Sequence, residues 1–364
     1  MTDSHDVIII GGGSAGYAAA RTAQAEGASV GIVDQGPLGG LCILRGCMPT
    51  KAILRSSDLA ALIRRAPEFG VYSPDLKVSL AAIIERKNRL IKEFAEDRIH
   101  ALQHSRFTLY QERAHFISPA VIQAGPHRLS AKAYIIATGS VVSRIAIPGL
   151  EKAGYLTSDE TLELDTPPES IIVLGGGPVA LELAQFFVRI GVDVTLIQRS
   201  AHILSQADED LVRPLEAHLR AEGMNVYTNT HIQQISTSNG QKTIHFLHQG
   251  QPQQVTGTTI LQALGRRPNI DQLNLEAAQV TSQKGAILVN KEMRTSQPHI
   301  FAIGDVNGLH EIVHIAIEQG EIAGWNAVHP NQPPKHYDDR LKTQVVFTDP
   351  QVASVGLSER ECLH

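Results

Sequence analysis

The sequence is poor in cysteine, in excess positive charge and in long hydrophobic runs. Three cysteines among 364 residues do not make a disulfide-rich secreted scaffold. A net charge of −5 gives no electrostatic reason to expect a nucleic acid or an acidic membrane surface as partner. No window approaches the roughly 20 apolar residues of a membrane span, and the acidic N-terminus does not resemble a signal peptide. We therefore expect a soluble, cytoplasmic protein.

The overall composition is that of an ordinary globular protein. It is 43% hydrophobic and 19% charged, which is far from disordered or fibrous composition. The length allows two or three domains. Apolar residues near helical spacing predict helices at about 50–66 and 79–105.

An internal repeat carries most of the information about fold. The stretch DVIIIGGGSAG, which begins at Asp6, is echoed by SIIVLGGGPVA, which begins at Ser170. In both copies a short apolar strand leads into a glycine cluster and an alanine-rich or apolar helix, which ends at Gly27 or Gly191 before a second strand. This pattern predicts two βαβ units, and thus two doubly wound, Rossmann-like α/β folds.

The glycine clusters predict two sites for dinucleotide pyrophosphates. The first glycine makes a tight turn, the second admits the pyrophosphate to the backbone, and the third position packs the helix on the strand. The pyrophosphate then lies at the positive end of the helix dipole. The predicted residues are Gly11, Gly13, Ser14, Ala15 and Gly16 in the first copy, and Gly175, Gly177, Pro178, Val179 and Ala180 in the second.

The end of the second strand distinguishes the two dinucleotides. Asp34 lies 23 residues after Gly11, and Gln198 lies 23 residues after Gly175. A carboxylate at this position accepts hydrogen bonds from a free ribose 2′-hydroxyl, as in FAD or NAD. A neutral amide followed by Arg199 would instead accept a 2′-phosphate. We expect FAD in the first fold and NADP, in preference to NAD, in the second. The alternative is that Arg199 is a solvated surface residue.

Two of the three cysteines lie in one segment, GGLCILRGCMPTK. Cys42 and Cys47 would be separated by roughly 7.5 Å along an ideal helix, beyond the usual disulfide Cα separation of about 4.4–6.8 Å. We therefore expect an irregular helix start, with Gly46 supplying conformational freedom. A bond over so short a loop stabilises little, and a zinc site lacks a second ligand pair. We expect no resident metal, and a reactive dithiol remains as the interpretation.

Several segments together resemble the pyridine nucleotide-disulfide oxidoreductases, which include lipoamide dehydrogenase, glutathione reductase and mercuric reductase. GGLCILRGCMPTK resembles the redox-active segment of that family. IIATGS, ALGRRPN, TSQPHIFAIGDV and QVVFTDPQVASVGLSE follow in the family's order. The resemblance implies an FAD domain at 1–148 and 288–336, with an NAD(P) domain inserted at 149–287. Residues 337–364 would begin an α+β interface domain.

The resemblance also implies residue roles. Cys47 would be the sulfur nearer the flavin, and Cys42 the thiol that attacks a substrate. Lys51 would lie beside the flavin and pair with Glu182. The remaining implied cofactor residues are Gly40, Ala114, Ala137, Thr138, Gly139, Asp305 and Val313 for FAD, with Lys51 beside it, and Ser200, Gly265 and Arg266 in segments that resemble the nicotinamide domain.

The implied reaction is electron transfer from NADPH through FAD and the cysteine pair to a disulfide or related small-molecule acceptor. Full-length members are homodimers, and their interface domain carries a His–Glu pair that protonates the partner's thiols. No such pair is present before the chain ends, so we expect a truncated, largely monomeric chain. The alternative is an FAD- and nucleotide-binding fragment or redox sensor without disulfide turnover.

Overall fold

The chain folds into two compact units of mixed α/β structure. The computed structural model describes residues 2–104 and 106–363. The first unit comprises the chain up to Leu44, Lys92–Val142 and Arg266–Lys342, and the second comprises Arg45–Ile91, Ser143–Gly265 and the chain from Thr343. Because these units group residues by packing, and the predicted domains group them by cofactor, the predicted domain bounds stay a prediction.

Ten α-helices occur in the described residues. In chain order they are α1 (Ser14–Ala25), α2 (Gly40–Leu44), α3 (Cys47–Arg65), α4 (Leu80–His104), α5 (Leu150–Ala153), α6 (Ser158–Thr161), α7 (Pro178–Arg189), α8 (Glu209–Ala221), α9 (Val313–Val328) and α10 (Glu359–Cys362). The two helices predicted at about 50–66 and 79–105 are confirmed as α3 and α4. No helix in the described parts of the chain combines the length and apolar character needed to cross a membrane.

Twenty β-strands occur in the same described ranges. They are β1 (Thr2–Ile10), β2 (Val30–Val33), β3 (Thr108–Tyr110), β4 (Ala114–Ser118), β5 (Val121–Ala124), β6 (His127–Ile136), β7 (Ser140–Val142), β8 (Ser170–Leu174), β9 (Asp193–Ile197), β10 (Asn225–Tyr227), β11 (Thr230–Ser238), β12 (Gln241–His248), β13 (Gln251–Gly257), β14 (Thr259–Gln262), β15 (Arg266–Pro268), β16 (Ser282–Gln283), β17 (Ala286–Ile287), β18 (Ile300–Ala302), β19 (Thr343–Val346) and β20 (Val352–Val355).

A seven-stranded sheet forms the centre of the first unit. Its order is β3-β2-β1-β6-β5-β4, and β18 also pairs with β6. The strands β1, β2, β3, β6 and β18 run parallel, whereas β4 and β5 join by antiparallel pairing. The last four residues of β1 are buried apolar side chains, as expected for a strand covered on both faces.

Two glycines of α9 let that helix lie directly against α1. A Cβ atom added to Gly320 would lie 2.4 Å from the carbonyl oxygen of Ala15, and one added to Gly324 would lie 2.6 Å from that of Ala19. Real Cβ atoms do not tolerate such distances, so only glycine permits this backbone approach. The close packing fixes the position of α1, the helix that follows the first glycine cluster.

A four-stranded parallel sheet forms the centre of the second unit. Its order is β10-β9-β8-β14, and a separate antiparallel sheet follows the order β11-β12-β13. In the first unit β1–α1–β2, and in the second β8–α7–β9, reproduce the predicted strand–glycine turn–helix–strand repeat. The predicted α/β class is therefore confirmed.

Candidate functional site

The first glycine cluster forms a backbone cradle at the carboxyl end of β1. Gly11 has a φ of +106°, and an added Cβ would lie 2.3 Å from the carbonyl oxygen of Ala137. The helix α1 then begins at Ser14, with Gly13 as its N-cap. Within the described chain no side chain caps this helix, so its first N–H groups are available to an anion.

A second glycine segment closes on the same cradle. Gly40 has a φ of +78°, and a Cβ there would lie 2.6 Å from the Cα of Gly13. Two stretches of backbone without side chains thus face each other at the start of α1. This arrangement keeps side chains away from the place where a pyrophosphate would lie.

Asp34 is held rigidly at the end of β2. Its Oδ2 accepts the N–H of Gly12 and its Oδ1 accepts the N–H of Gly36, each at 2.7 Å. A carboxylate offers about four lone-pair positions, so both oxygens keep capacity for a ribose hydroxyl. The side chain is half-buried, which suits a group that must meet a ligand.

A polar chain runs through Arg266, Ser140 and Asp305 in the first unit. Arg266 donates from Nε to Ser140 Oγ at 2.8 Å and from Nη2 to the Ser140 carbonyl at 2.9 Å. Ser140 Oγ in turn donates to Asp305 Oδ2 at 2.6 Å. Sequence reasoning did not single out Ser140, although it ends the IIATGS segment. The chain orients the Asp305 carboxylate and leaves its other oxygen for a further donor.

Apart from Lys51, the other predicted FAD residues lie in the same unit. Thr138 Oγ1 donates to the Asn269 carbonyl at 2.6 Å, and the Asn269 N–H donates back to Gly139 at 2.8 Å. Ala114 is buried at the start of β4, and Val313 is the first residue of α9. Arg266 belongs to this unit, whereas its neighbour Gly265 ends a segment of the second unit and is exposed.

The second glycine cluster repeats the first with one chemical change. Gly175 has a φ of +115°, and an added Cβ would lie 2.4 Å from the carbonyl oxygen of Ala263. Pro178 begins α7, and its neighbour Val179 is exposed. A Cβ on Gly176 would lie 3.0 Å from the side chain of Gln198. Gln198 therefore takes the place that Asp34 takes beside Gly12.

The residues after Gln198 are accessible. Arg199 is exposed, and Ser200 is half-buried with its carbonyl accepting the Asn229 N–H at 2.7 Å. Gln198 is itself anchored through its backbone, because its carbonyl accepts both the N–H and the hydroxyl of Thr230. The backbone is fixed at this point, and the guanidinium of Arg199 is exposed to solvent.

The third position of the two clusters predicts losses of stability that differ in size and in cause. A Cβ on Gly16 would lie 1.9 Å from the carbonyl oxygen of Gly11, so Gly16→Ala should displace α1 and destabilise the protein by about 1–3 kcal/mol. Ala180 already has a Cβ here and is fully buried, and Ala180→Gly should cost only about 1 kcal/mol. Urea denaturation of both variants tests this. A Gly16→Ala variant as stable as the parent would contradict the close approach.

Lys51 and Glu182 meet in the second unit. Lys51 Nζ lies 2.6 Å from Glu182 Oε2, with side-chain exposures of 35% and 4%. The other oxygen, Oε1, accepts the backbone N–H of Phe347 at 2.9 Å. The Lys51 ammonium also lies 4.8 Å from the centre of the Phe347 ring. Sequence reasoning placed Lys51 with Glu182 and missed Phe347, which lies in the QVVFTDP segment.

The two neighbouring cysteines lie on either side of a helix break. Cys42 is in α2, and Cys47 is the first residue of α3. Both are half-buried, and Cys362 is exposed. Gly46, between the two helices, has a φ of −123°, so the predicted break is present without the left-handed conformation. Cys47 thus lies at the N-terminal end of the 19-residue helix α3, the positive end of the helix dipole.

Comparisons with known proteins show the family to which the chain is similar. The family model described as "Pyridine nucleotide-disulphide oxidoreductase" matches residues 5–320. Mercuric reductase of Staphylococcus aureus is 34% identical over 359 residues, which is 98% of this chain and 65% of the relative. Dihydrolipoyl dehydrogenase of Bacillus subtilis is 31% identical over 378 residues, covering 99% of this chain and 79% of the relative.

A solved structure shares the fold. The HOCl-induced flavoprotein disulfide reductase RclA from Escherichia coli, in its Cu(II) complex, matches with a TM-score of 0.87 and 26% identity. The match covers 100% of this chain and 79% of RclA. The chain spans just under two thirds of the length of the mercuric reductases to which it is similar. By these matches the chain belongs to the pyridine nucleotide-disulphide oxidoreductase family, whose members use FAD and NAD(P)H.

Proposed function

We propose that this chain functions as an NADPH-dependent flavoprotein that passes electrons through FAD to the Cys42–Cys47 pair. From there they would pass to a disulfide or related small-molecule acceptor. The proposal rests on one observation: the two glycine turns repeat each other, but the residue beside the turn differs between them. The same glycine turn lies beside a carboxylate at Asp34 and beside a neutral amide at Gln198. The small number of cysteines supports a reducing, cytoplasmic setting.

The first unit fits FAD. Gly11 and Gly40 leave no room for a Cβ, which would overlap neighbouring backbone atoms, including the Cα of Gly13. Backbone without side chains therefore lines the cradle, and the uncapped start of α1 suits a pyrophosphate. Asp34 would hold the ribose, and Asp305 would hold the polyol chain that joins the pyrophosphate to the flavin ring. FAD would supply the acceptance of a hydride from a nicotinamide, which amino-acid side chains do not provide.

The second unit fits a nicotinamide dinucleotide. Gly175 and Gly177 shape the turn, and α7 begins at Pro178 with no side-chain cap among the described residues. Gln198 brings no negative charge to the ribose, and the exposed Arg199 can pair with a 2′-phosphate. Ser200 adds a hydroxyl donor next to the guanidinium.

Lys51 and Glu182 would stabilise charge during reduction. The ammonium of Lys51 is oriented by a buried carboxylate, so it needs no reorganisation when negative charge develops on a neighbouring group. Glu182 keeps both oxygens occupied, one by Lys51 and one by the Phe347 N–H. Glu182 therefore holds the positively charged Lys51 ammonium in a fixed and partly buried position.

The cysteines would complete a thiol–disulfide exchange. The thiolate of Cys42 attacks one sulfur of the substrate disulfide, forms a mixed disulfide and releases one substrate thiolate, which takes up a proton. The thiolate of Cys47 then attacks the Cys42 sulfur and releases the second substrate thiolate, which also takes up a proton. The two protons taken up equal those that the cysteine thiols gave up on becoming thiolates. The two cysteine thiols are oxidised to one disulfide, and the substrate disulfide is reduced to two thiols.

Purification and a coupled assay test the proposal. The protein should be yellow, should release FAD on denaturation, and should oxidise NADPH while freeing thiols from lipoamide or glutathione disulfide. A colourless protein that cannot be reconstituted with FAD would overturn the proposal. If the protein oxidised NADPH with a dye as electron acceptor but with neither disulfide as acceptor, the activity would be restricted to the flavin. The cysteine step would then be unsupported.

Preference for NADPH is expected from the Gln198–Arg199 end. A charge-assisted hydrogen bond to the 2′-phosphate is worth about 1.5–3 kcal/mol, so flavin reduction should favour NADPH over NADH by roughly ten- to a hundredfold in kcat/KM. Gln198→Glu places a carboxylate against the phosphate and should reduce or reverse the ratio. The matched control is Gln253→Glu, the same charge change on β13. An unchanged ratio of NADPH to NADH kcat/KM in Gln198→Glu would contradict the assignment of Gln198 to the 2′-phosphate site.

A further inference from the structure

The segment Phe347–Asp349 in the second unit is bonded to three residues of α7. The Phe347 N–H donates to Glu182 Oε1 at 2.9 Å. The backbone of Asp349 donates to Gln185 Oε1 and accepts from Gln185 Nε2, each at 2.8 Å. The Asp349 carboxylate pairs with Arg189 at 2.8 Å. Each contact uses a buried polar residue of α7.

The three residues of α7 lie at helical spacing on one face. Glu182, Gln185 and Arg189 are three and four residues apart, so their side chains share one side of the helix. Buried polar side chains at such spacing are costly unless each is paired. Here all three are paired with the same short segment, which fixes the position of Phe347 on α7.

We propose that Phe347 is a positioning residue for Lys51, held in place by Gln185 and Arg189. Its N–H occupies one Glu182 oxygen and so directs the other at the lysine ammonium. Its ring lies under the same ammonium at 4.8 Å and attracts it through the ring's negative face. Lys51 is thereby held from two sides, by a carboxylate and by an aromatic ring.

This inference rests on the proposed function only for its consequence. If Lys51 supplies positive charge during flavin reduction, the segment Phe347–Asp349 determines how well that charge is placed. Lys51 is 35% exposed, and a long lysine side chain at such exposure keeps considerable rotamer freedom unless it is restrained. The Phe347 ring is the restraint that a single substitution can remove.

The first measurement needs no flavin chemistry. The rate of Lys51 acylation by a water-soluble N-hydroxysuccinimide ester, followed by mass spectrometry, reports how firmly the amine is held. Phe347→Leu removes the ring face and should raise that rate about two- to fivefold, as expected for a cation–π contact near the surface. Phe347→Tyr keeps the face and should restore the parent rate. The control Ile244→Ala weakens a separate apolar cluster of the second unit and should leave the rate unchanged.

The second measurement tests the link to catalysis by a double-mutant cycle. In the FAD-loaded protein, Phe347→Leu should slow flavin reduction by NADPH about two- to fivefold, and this effect should disappear in a Lys51→Met background. The inference would be overturned if the two substitutions slowed flavin reduction independently, so that their factors multiplied in the double variant. An unchanged acylation rate in Phe347→Leu would also overturn it. A further outcome is a raised acylation rate in Phe347→Leu while flavin reduction keeps the parent rate in both Phe347→Leu and Lys51→Met. That result would confirm the positioning of Lys51 by Phe347 and refute the proposed role of Lys51 in flavin reduction.

Discussion

Replacing Cys47 with alanine is expected to halve the reducing equivalents that the protein accepts. Anaerobic titration of the FAD-loaded parent should consume about four electrons per FAD, two for the flavin and two for the Cys42–Cys47 disulfide. Cys47→Ala cannot form this disulfide, so uptake should fall to about two. Turnover of any disulfide substrate should be lost, because the mixed disulfide at Cys42 then has no resolving thiolate.

The other two cysteines provide the controls for this experiment. Cys42→Ala should also reduce uptake to about two electrons, but it retains Cys47 at the N-terminal end of α3. That thiolate should give a long-wavelength charge-transfer band with oxidised flavin, which Cys47→Ala should lack. Cys362→Ala, on the exposed helix α10, should behave like the parent. An uptake of about four electrons in Cys47→Ala would show that the pair does not exchange electrons with the flavin.

Much of the fold could be predicted because its causes are local in sequence. Gly11 and Gly175 adopt positive φ values that glycine alone favours, and each follows a buried apolar strand. Pro178 begins α7 because a first helical position has no use for an N–H donor. The same local chemistry distinguishes Asp34 from Gln198. These features needed no knowledge of distant contacts.

The residues that sequence reasoning missed act through distant partners. Glu182 meets Phe347 at a separation of 165 residues, and Arg189 meets Asp349 at a separation of 160. Nothing in the spacing around Phe347 marks it as a neighbour of Lys51. Arg189, at the last position of α7, looks like a residue that faces solvent near the helix C-terminus. Tertiary packing gives both residues their roles.

Arg189 pairs with three carboxylates in the second unit. Its side chain is 3% exposed and lies 2.7 Å from Asp58, 2.6 Å from Glu222 and 2.8 Å from Asp349. It thus joins α3, the end of α8 and the segment Phe347–Asp349. Three carboxylates around one guanidinium leave an excess of negative charge, and the exposure of Asp58 and Asp349 (42% and 53%) lets solvent screen part of it.

Arg189→Met should therefore destabilise the protein strongly at neutral pH. The methionine fills a similar volume but leaves three carboxylates facing an apolar group and one another. Removing one partner of a buried ion pair typically costs 3–5 kcal/mol, and solvent screening at Asp58 and Asp349 places the expected loss near the lower limit, at about 3 kcal/mol. Arg213→Met is the matched control, because Arg213 is 74% exposed and pairs with Glu209 one turn away on its own helix. It should change the free energy of unfolding by less than about 0.5 kcal/mol.

Lowering the pH should reduce the loss in Arg189→Met. Burial raises the pKa of Asp58 above its ordinary value, and the charge of Arg189 partly opposes this effect. Without Arg189 the pKa of Asp58 rises further, so the folded variant binds a proton more readily than the unfolded chain does. Stability relative to the parent then increases as the pH falls from 7 towards about 5, below which the unfolded carboxyl groups also begin to protonate. Urea denaturation of the parent and both variants at the two pH values measures this difference. A loss for Arg189→Met that stays constant or grows as the pH falls would show that packing, and not carboxylate repulsion, accounts for its instability.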